Sequence, residues 1–188
     1  MFGTSGIRGP VGEEMTAALA LSVGRAVASE GYDRVVVGRD ARESGAVLTD
    51  ALIAGVRECG GDVLEAGIVP TPTVARAVQR TDADAGLIVT ASHNPASDNG
   101  IKLRAASGTA FDLEQRKAIA TRVETDEYDL RPGTDRARSN RFRTRSSDMR
   151  RRWPSPCRST IHRASSSISE TGPGGSPPAY SRISAVTS

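Results

Sequence analysis

The sequence predicts an α/β domain, a small mixed sheet between helices, followed by a disordered Arg/Ser/Pro-rich tail. Three observations carry this. Short β-branched runs such as Arg34–Gly38 and Leu87–Val89 alternate with longer segments of helical period. Glycine and proline punctuate the joins. Composition then changes abruptly near Arg131–Asp135, so residues 1–131 read as the folded domain and 132–188 as the tail. Residues 1–135 hold 14 Lys and Arg against 20 Asp and Glu, a net −6, whereas residues 136–188 hold 11 Arg against Asp148 and Glu170, a net +9.

Each element has a local reason. Thr16 to Glu30 is apolar at helical spacing (Leu19, Val23, Val27), with Thr16 as N-cap and Gly31 as the stop. Arg34–Gly38 is a buried strand. Ser44 to Glu58 is a second helix with Val47, Ala51, Ala54 and Val56 near one side, ended by Gly60-Gly61. Asp62–Ala66 is a strand. Thr71–Arg80 is a helix with Pro72 in its first turn, where a missing N–H costs nothing. Ala85–Ala91 is a central strand, Ile101–Leu103 a short one returning beside it, and Asp112–Glu124 a helix capped by Asp112. This is the βαβ grammar of a layered α/β domain.

The tail runs Arg150-Arg151-Arg152, Ser165-Ser166-Ser167 and Pro177-Pro178, with no helical or strand period and too little apolar area to offset its ordering entropy. Three readings compete: a basic arm that binds nucleic acid, a solvated linker, and the product of a shifted reading frame. Both lysines, Lys102 and Lys117, precede the boundary, and Phe142, Trp153 and Tyr180 are scattered rather than spaced for stacking, which favours the shifted frame. Two cysteines, Cys59 and Cys157, make no disulfide framework, and no apolar leader follows Met1, so a cytoplasmic protein is expected. No run approaches the roughly 20 apolar residues of a membrane span.

Four stretches carry chemistry. Gly3–Gly9 sets hydroxyls Thr4 and Ser5 and glycines around Arg8, which suits a loop closing over a phosphate; a flexible terminus with a surface arginine is the alternative. Gly38-Arg39-Asp40 ends a strand and opens a helix, so it is either an anion site or an Arg39–Asp40 pair fixing the turn. Ser92-His93-Asn94-Pro95 lies at the carboxyl end of the central strand, where open α/β sheets bind ligands. Neighbouring side chains on an extended strand point apart, so His93 is poorly placed to deprotonate Ser92, and the Gly-x-Ser-x-Gly elbow is absent. A serine that carries a phosphoryl group is the other functional reading, and a proline-capped turn the structural one. Lys102 follows Asn99-Gly100, and a tight hairpin would bring its amine back to Ser92 as a proton carrier; a solvated strand lysine is the alternative.

Together, Thr4–Gly9, Gly38–Asp40, Thr90–Pro95 and Asn99–Lys102 resemble, in order, the motifs of the first domain of the α-D-phosphohexomutases, the phosphomannomutases and phosphoglucomutases, with phosphoglucosamine mutase a close relative. The resemblance covers about residues 1–131. It implies that Ser92 is a phosphoserine, the modified and catalytic residue. It implies that Lys102 is the general acid/base, that Arg8 lines the same pocket, and that His93 supports the phosphoserine. Thr4, Ser5, Arg8, Asn94 and Lys102 are the implied phosphate-binding residues. The implied reaction interconverts hexose 1- and 6-phosphates, of the glucose or mannose class, through a bisphosphorylated sugar, with hexose 1,6-bisphosphate as activator and Mg²⁺ held partly by the phosphate on Ser92.

The departures are as informative. The family's Asp-x-Asp-x-Asp-Arg metal loop and Gly-Glu-x-Ser-Gly-His sugar loop are missing from these 188 residues. Arg104–Thr109 echoes the distal phosphate loop with one residue too many, and reads as the turn after the lysine. The expectation is a truncated product, inactive by itself. A non-enzymatic phosphate-binding module with a nucleic-acid-binding tail is the alternative.

Overall fold

Three consecutive valines define the two faces of the sheet. In β2 (Arg34–Arg39) side chains alternate, so Val35 and Val37 enter one core and Val36 the other. The computed structural model describes residue 3 and residues 6–132; Thr4, Ser5 and the segment from residue 133 onward, where the predicted tail falls, lie outside the described residues.

Around β2 the described chain runs β1 (Ile7–Pro10), α1 (Ala17–Ser29), β2, α2 (Gly45–Glu58), β3 (Asp62–Ile68), α3 (Thr71–Arg80), β4 (Ala85–Val89), β5 (Asp98–Ala105) and α4 (Leu113–Thr125). The sheet order is β1-β5-β4-β2-β3. β3 and β4 lie parallel to β2 on either side, and β5 and β1 add antiparallel pairs. The mixed sheet of the sequence reading is therefore present. α1, α2 and α4 pack on the face that buries Leu87, Val89, Ile101 and Leu103. α3 covers the other face, through Val74 and Val78 against Val36, Leu64 and Ile88. Because α2 and α3 cross opposite faces, the chain reverses direction between β2 and β4. The carboxyl ends of these two strands form the crevice where such sheets bind ligands.

The caps match their predicted chemistry. Thr16 is extended and its hydroxyl accepts from the Leu19 N–H. Asp112 and Gln115 form a reciprocal capping box. Other expectations shift. β1 falls inside the stretch read as a loop, because Ile7 is buried and pairs with Ile101 across the sheet. β5 has eight residues instead of three, because the polar lead-in Asp98-Asn99-Gly100 is paired with β1 and Asn99 is fully buried, donating to the Ser44 hydroxyl. β4 stops at Val89, two residues early.

The buried face of α2 also differs from the one predicted. Leu48, Leu52, Ile53, Gly55 and Val56 face inward, while Val47 is 55% exposed. The reason is a close helix crossing. A Cβ on Gly55 would lie 2.1 Å from the Leu21 carbonyl oxygen of α1, and one on Gly24 of α1 would lie 2.2 Å from the Leu52 carbonyl oxygen. The two glycines let the backbones touch, and that contact fixes which side of α2 is buried.

Gly24→Ala therefore destabilises the domain although alanine is the better helix former by about 1 kcal/mol. The clash is with backbone and cannot be relieved by a rotamer, so overpacking of about 1–3 kcal/mol outweighs the propensity gain. Denaturant unfolding monitored by circular dichroism is expected to show a lower midpoint for Gly24→Ala and for Gly55→Ala alike.

Candidate active site

Strand β4 delivers the serine loop to the crevice. Beyond Val89, Thr90 is buried and its hydroxyl donates to Asp40 Oδ2 at 2.7 Å. The Ser92 N–H donates back to Thr90 Oγ1 at 3.1 Å. Ser92 sits at φ +57°, in the left-handed region that a side chain adopts only when its surroundings hold it there, at a cost on the order of 1–3 kcal/mol. The expectation of an extended strand through Ser92 and His93 is thereby corrected. The two residues lie instead in a turn closed by Asn94 N–H donating to the Ala91 carbonyl at 3.2 Å. His93 is exposed and lines, with Asp40, Thr90 and Ser92, a shallow pocket floored by Ile88 and walled by Val69, Pro70 and Thr71.

What holds this turn is Arg42. Its guanidinium donates to the Ser92 carbonyl at 3.2 Å, the Asn94 carbonyl at 2.7 Å, the Asp98 carbonyl at 3.0 Å and the Pro95 carbonyl. Its Nε pairs with Asp40 Oδ2 at 3.3 Å, and its own N–H donates to Asp40 Oδ1 at 3.1 Å. The pair expected between Arg39 and Asp40 is not the one formed: Arg39 donates to the Asp40 main-chain carbonyl, and Arg42, two residues on, takes the carboxylate. Asn94 adds its own contribution, donating from Nδ2 to Asp98 Oδ2 at 2.9 Å.

Lys102 approaches from β5. Its Nζ donates to Ser92 Oγ at 2.6 Å. Arg8 stands across the β1–β5 ladder at Gly100, two residues before Lys102 on the same face. A Cβ on Gly100 would fall 2.4 Å from the Ile7 carbonyl oxygen and 2.8 Å from Arg8 Cγ, so glycine is required for Arg8 to lie over the strand. Arg8 Nε is buried and has no hydrogen-bond partner. Partial burial of the Lys102 amine, then the positive charges of Arg8 and Arg104, push its pKa below the ordinary lysine value; Asp40 opposes this. An amine whose pKa is lowered gives up its proton more readily than an ordinary lysine, and this one lies on a hydroxyl.

The structure thus brings Ser92, His93, Asn94 and Lys102 to one end of the sheet, with Arg8 beside Lys102. Thr4 and Ser5 lie outside the described residues. Two residues that sequence reasoning placed beside these motifs without a role, Arg42 behind Gly38-Arg39-Asp40 and Thr90 at the head of the serine loop, turn out to hold the site together. Their signal was faint, a cation and a hydroxyl near two strand ends that only the parallel pairing of β2 with β4 brings together. For Mg²⁺ the fit is poor. Among the described residues no group of three His, Cys, Asp or Glu converges on a cation site, and Asp40 is already engaged by Arg42 and Thr90.

A serine on a left-handed turn, an amine on its hydroxyl and an arginine beside the amine thus stand together at the carboxyl end of a central strand. The chain belongs to the phosphoglucomutase/phosphomannomutase family, whose α/β/α domain I model matches residues 1–129. A phosphoglucosamine mutase from Saccharopolyspora erythraea is 44% identical over 131 residues, which are 66% of this chain and 30% of that protein. A phosphopentomutase from Thermococcus kodakarensis is 44% identical over 119 residues, 63% of this chain and 26% of that one. The crystal structure of a phosphoglucomutase/phosphomannomutase family protein from Burkholderia thailandensis superposes with a TM-score of 0.65 at 34% identity, covering 74% of this chain and 32% of that one. The chain therefore spans well under half the length of the curated relatives it matches. Among the described residues no helix is long and apolar enough to cross a membrane.

The chain has two lysines, so ε-carbon labelling gives two resolvable signals. The Lys102 signal is expected to titrate below the ordinary lysine range, and Arg8→Gln to move its midpoint upward by removing a neighbouring charge. An unchanged Lys102 midpoint in Arg8→Gln would show that the two side chains do not sense each other.

Proposed function

We propose that this domain is the phosphoserine carrier of a sugar-phosphate mutase, with Ser92 as the carrier. The observation that supports it most directly is the 2.6 Å hydrogen bond from Lys102 Nζ to Ser92 Oγ. In this reading a hydroxyl of the sugar phosphate attacks the phosphorus on Ser92. The bond from phosphorus to Ser92 Oγ breaks, and Lys102, as the neutral amine, takes the proton of the attacking hydroxyl and delivers it to the departing oxygen. In the return step Lys102 takes the Ser92 proton as Ser92 Oγ attacks the other phosphate of the bisphosphorylated sugar, the bond from that phosphorus to the sugar oxygen breaks, and the proton passes to the sugar oxygen. Arg8 offers donors to the transferring group, and the Arg42-held loop fixes the serine so that no reorganisation is needed as charge develops. His93, which lines the serine pocket, is a phosphate contact in a supporting role, and Asn94 is a further phosphate contact whose side-chain amide also binds Asp98.

The substrate class in this reading is a sugar phosphate. Glucose and mannose phosphates are the narrower assignment, and the names of the relatives add glucosamine and pentose phosphates. Mg²⁺ is the cation this reading calls for; a phosphate on Ser92 would be its one contact from this domain, and the described residues bring no cluster of carboxylates together to hold it. A cytoplasmic location fits a buried, unpaired Cys59 and a sugar-phosphate substrate. The domain boundary at residue 131 and the shifted-frame origin of the segment after it belong to the same reading, which favours no nucleic-acid partner.

Incubation with glucose 1,6-bisphosphate followed by fragment mass spectrometry is expected to place phosphate on Ser92, at low occupancy, and Ser92→Ala is expected to remove it. Phosphate confined to other serines would refute the assignment. By themselves these 188 residues are expected to show no mutase turnover above background on glucose, mannose or glucosamine phosphates in a coupled assay with Mg²⁺. Loss of one preorganised electrostatic element costs about 10²–10³ in rate, and both the triple-aspartate and the sugar loops are missing from this sequence. Turnover at rates ordinary for an enzyme would overturn that expectation.

A further inference from the structure

On the far side of Lys102 from the serine, a second pocket is lined by Gly6, Lys102, Leu103, Arg104, Ala110, Phe111 and Arg116. Three of these are cations. Arg104 is two residues beyond Lys102 on β5, so both side chains rise from one face. Its Cβ lies over Gly86, the residue opposite it on β4, where a side chain would meet it at 3.3 Å. Arg104 Nε is buried without a hydrogen-bond partner, and the side chain has no ion pair among the described residues. Arg116, from the first turns of α4, donates through Nε to the Asp112 carbonyl at 3.0 Å and through Nη1 to the Gly3 carbonyl at 2.8 Å. These are main-chain partners, so its charge too is uncompensated by a carboxylate among the described residues. Lys102 has one hydrogen bond, to the neutral Ser92 hydroxyl.

Three like charges around one concavity repel, and a buried guanidinium N–H without an acceptor costs free energy. The domain accepts both costs although residues 1–135 carry a net −6 and offer carboxylates in excess. Such a cluster is stable when an anion supplies the missing acceptors. Arginine favours an oxyanion that presents two oxygens side by side to its planar fork, as phosphate does.

We propose that the pocket lined by Lys102, Arg104 and Arg116 is an anion site for a phosphate group, free or as a monoester, and that Lys102 is shared between it and the Ser92 hydroxyl. An anion held there competes with Ser92 for the Lys102 ammonium. Occupancy of the pocket therefore sets whether the amine is available to the serine. This does not rest on Ser92 carrying a phosphate, because the unmodified protein already has the three cations in place.

The test is a titration of the full 188-residue chain, labelled at the lysine ε-carbons, with inorganic phosphate and separately with glucose 6-phosphate. Chloride at matched ionic strength is the control. The arginines after residue 135 also attract anions, so the signal read is that of Lys102 alone. A saturable shift at Lys102 with either phosphate, weakened about tenfold in Arg104→Gln and largely kept in Arg104→Lys, is the expected result. The tighter of the two ligands identifies free phosphate or a monoester as the occupant. Arg104→Lys also separates loss of the site from loss of the fold. The proposal is overturned if chloride reproduces the shift, if Arg104→Gln binds as tightly as the parent, or if Arg8→Gln weakens binding as much as Arg104→Gln, which would place the anion at the serine instead.

Discussion

The grip of Arg42 on the serine loop is the constraint on which the site depends. One guanidinium satisfies carbonyls of Ser92, Asn94, Pro95 and Asp98 while its Nε holds Asp40. Arginine alone has enough fixed donors for this, and each bond from a charged donor is worth about 1.5–3 kcal/mol when water is kept away. Here the side chains of Arg42 and Asp40 are 15% and 29% exposed, so the contribution is smaller but still distributed over the whole turn. With its carbonyls turned toward Arg42, the loop can hold Ser92 at a positive φ and direct its hydroxyl to Lys102. Asp40 extends the same grip to Thr90, so the carboxyl ends of β2 and β4 are tied together where the sheet changes direction.

The face beyond that crevice has an electrostatic character opposite to the domain's total. α3 packs on β2 and β4, and the neighbouring β5–β1 half of the same face carries Arg8, Lys102 and Arg104. A small basic strip in an acidic domain focuses positive potential on a short stretch of surface beside the serine. The lowered pKa of Lys102 and the orphaned Nε atoms of Arg8 and Arg104 are two expressions of this crowding.

Much of this was legible in the sequence because it rests on local rules. Thr16 and Asp112 cap helices through their own side chains, Pro72 fits a first turn, and the valines of β2 declare a strand buried on both faces. The serine, the lysine and their approach followed from a strand end and a short return. What was not legible depends on partners distant in sequence. Asn99 is polar and yet buried, because Ser44, 55 residues away, supplies its acceptor. The inward face of α2 follows from Gly24 and Gly55, which carry no hydrophobic signal but decide how near two helices come. Arg42 rather than Arg39 takes Asp40, because the loop carbonyls it also needs belong to a different strand. Ser92 adopts a left-handed backbone that its residue type does not favour, for the same reason.

The pairing of β1 with β5 carries a consequence for how the domain is made. Ile7 lies opposite Ile101, and Arg8 opposite Gly100, so the earliest strand has its sheet partner nearly a hundred residues later. β2, α2, β3, α3 and β4 can assemble sequentially, each on its neighbour in the chain, before β5 exists. Pairing of β1 with β5 therefore has to meet the closure entropy of a long loop. Until then Ile7 has no core, the Gly100 platform has no arginine over it, and Lys102 has not reached the serine. The serine and the two cations that stand beside it are thus joined only through pairings of long sequence separation.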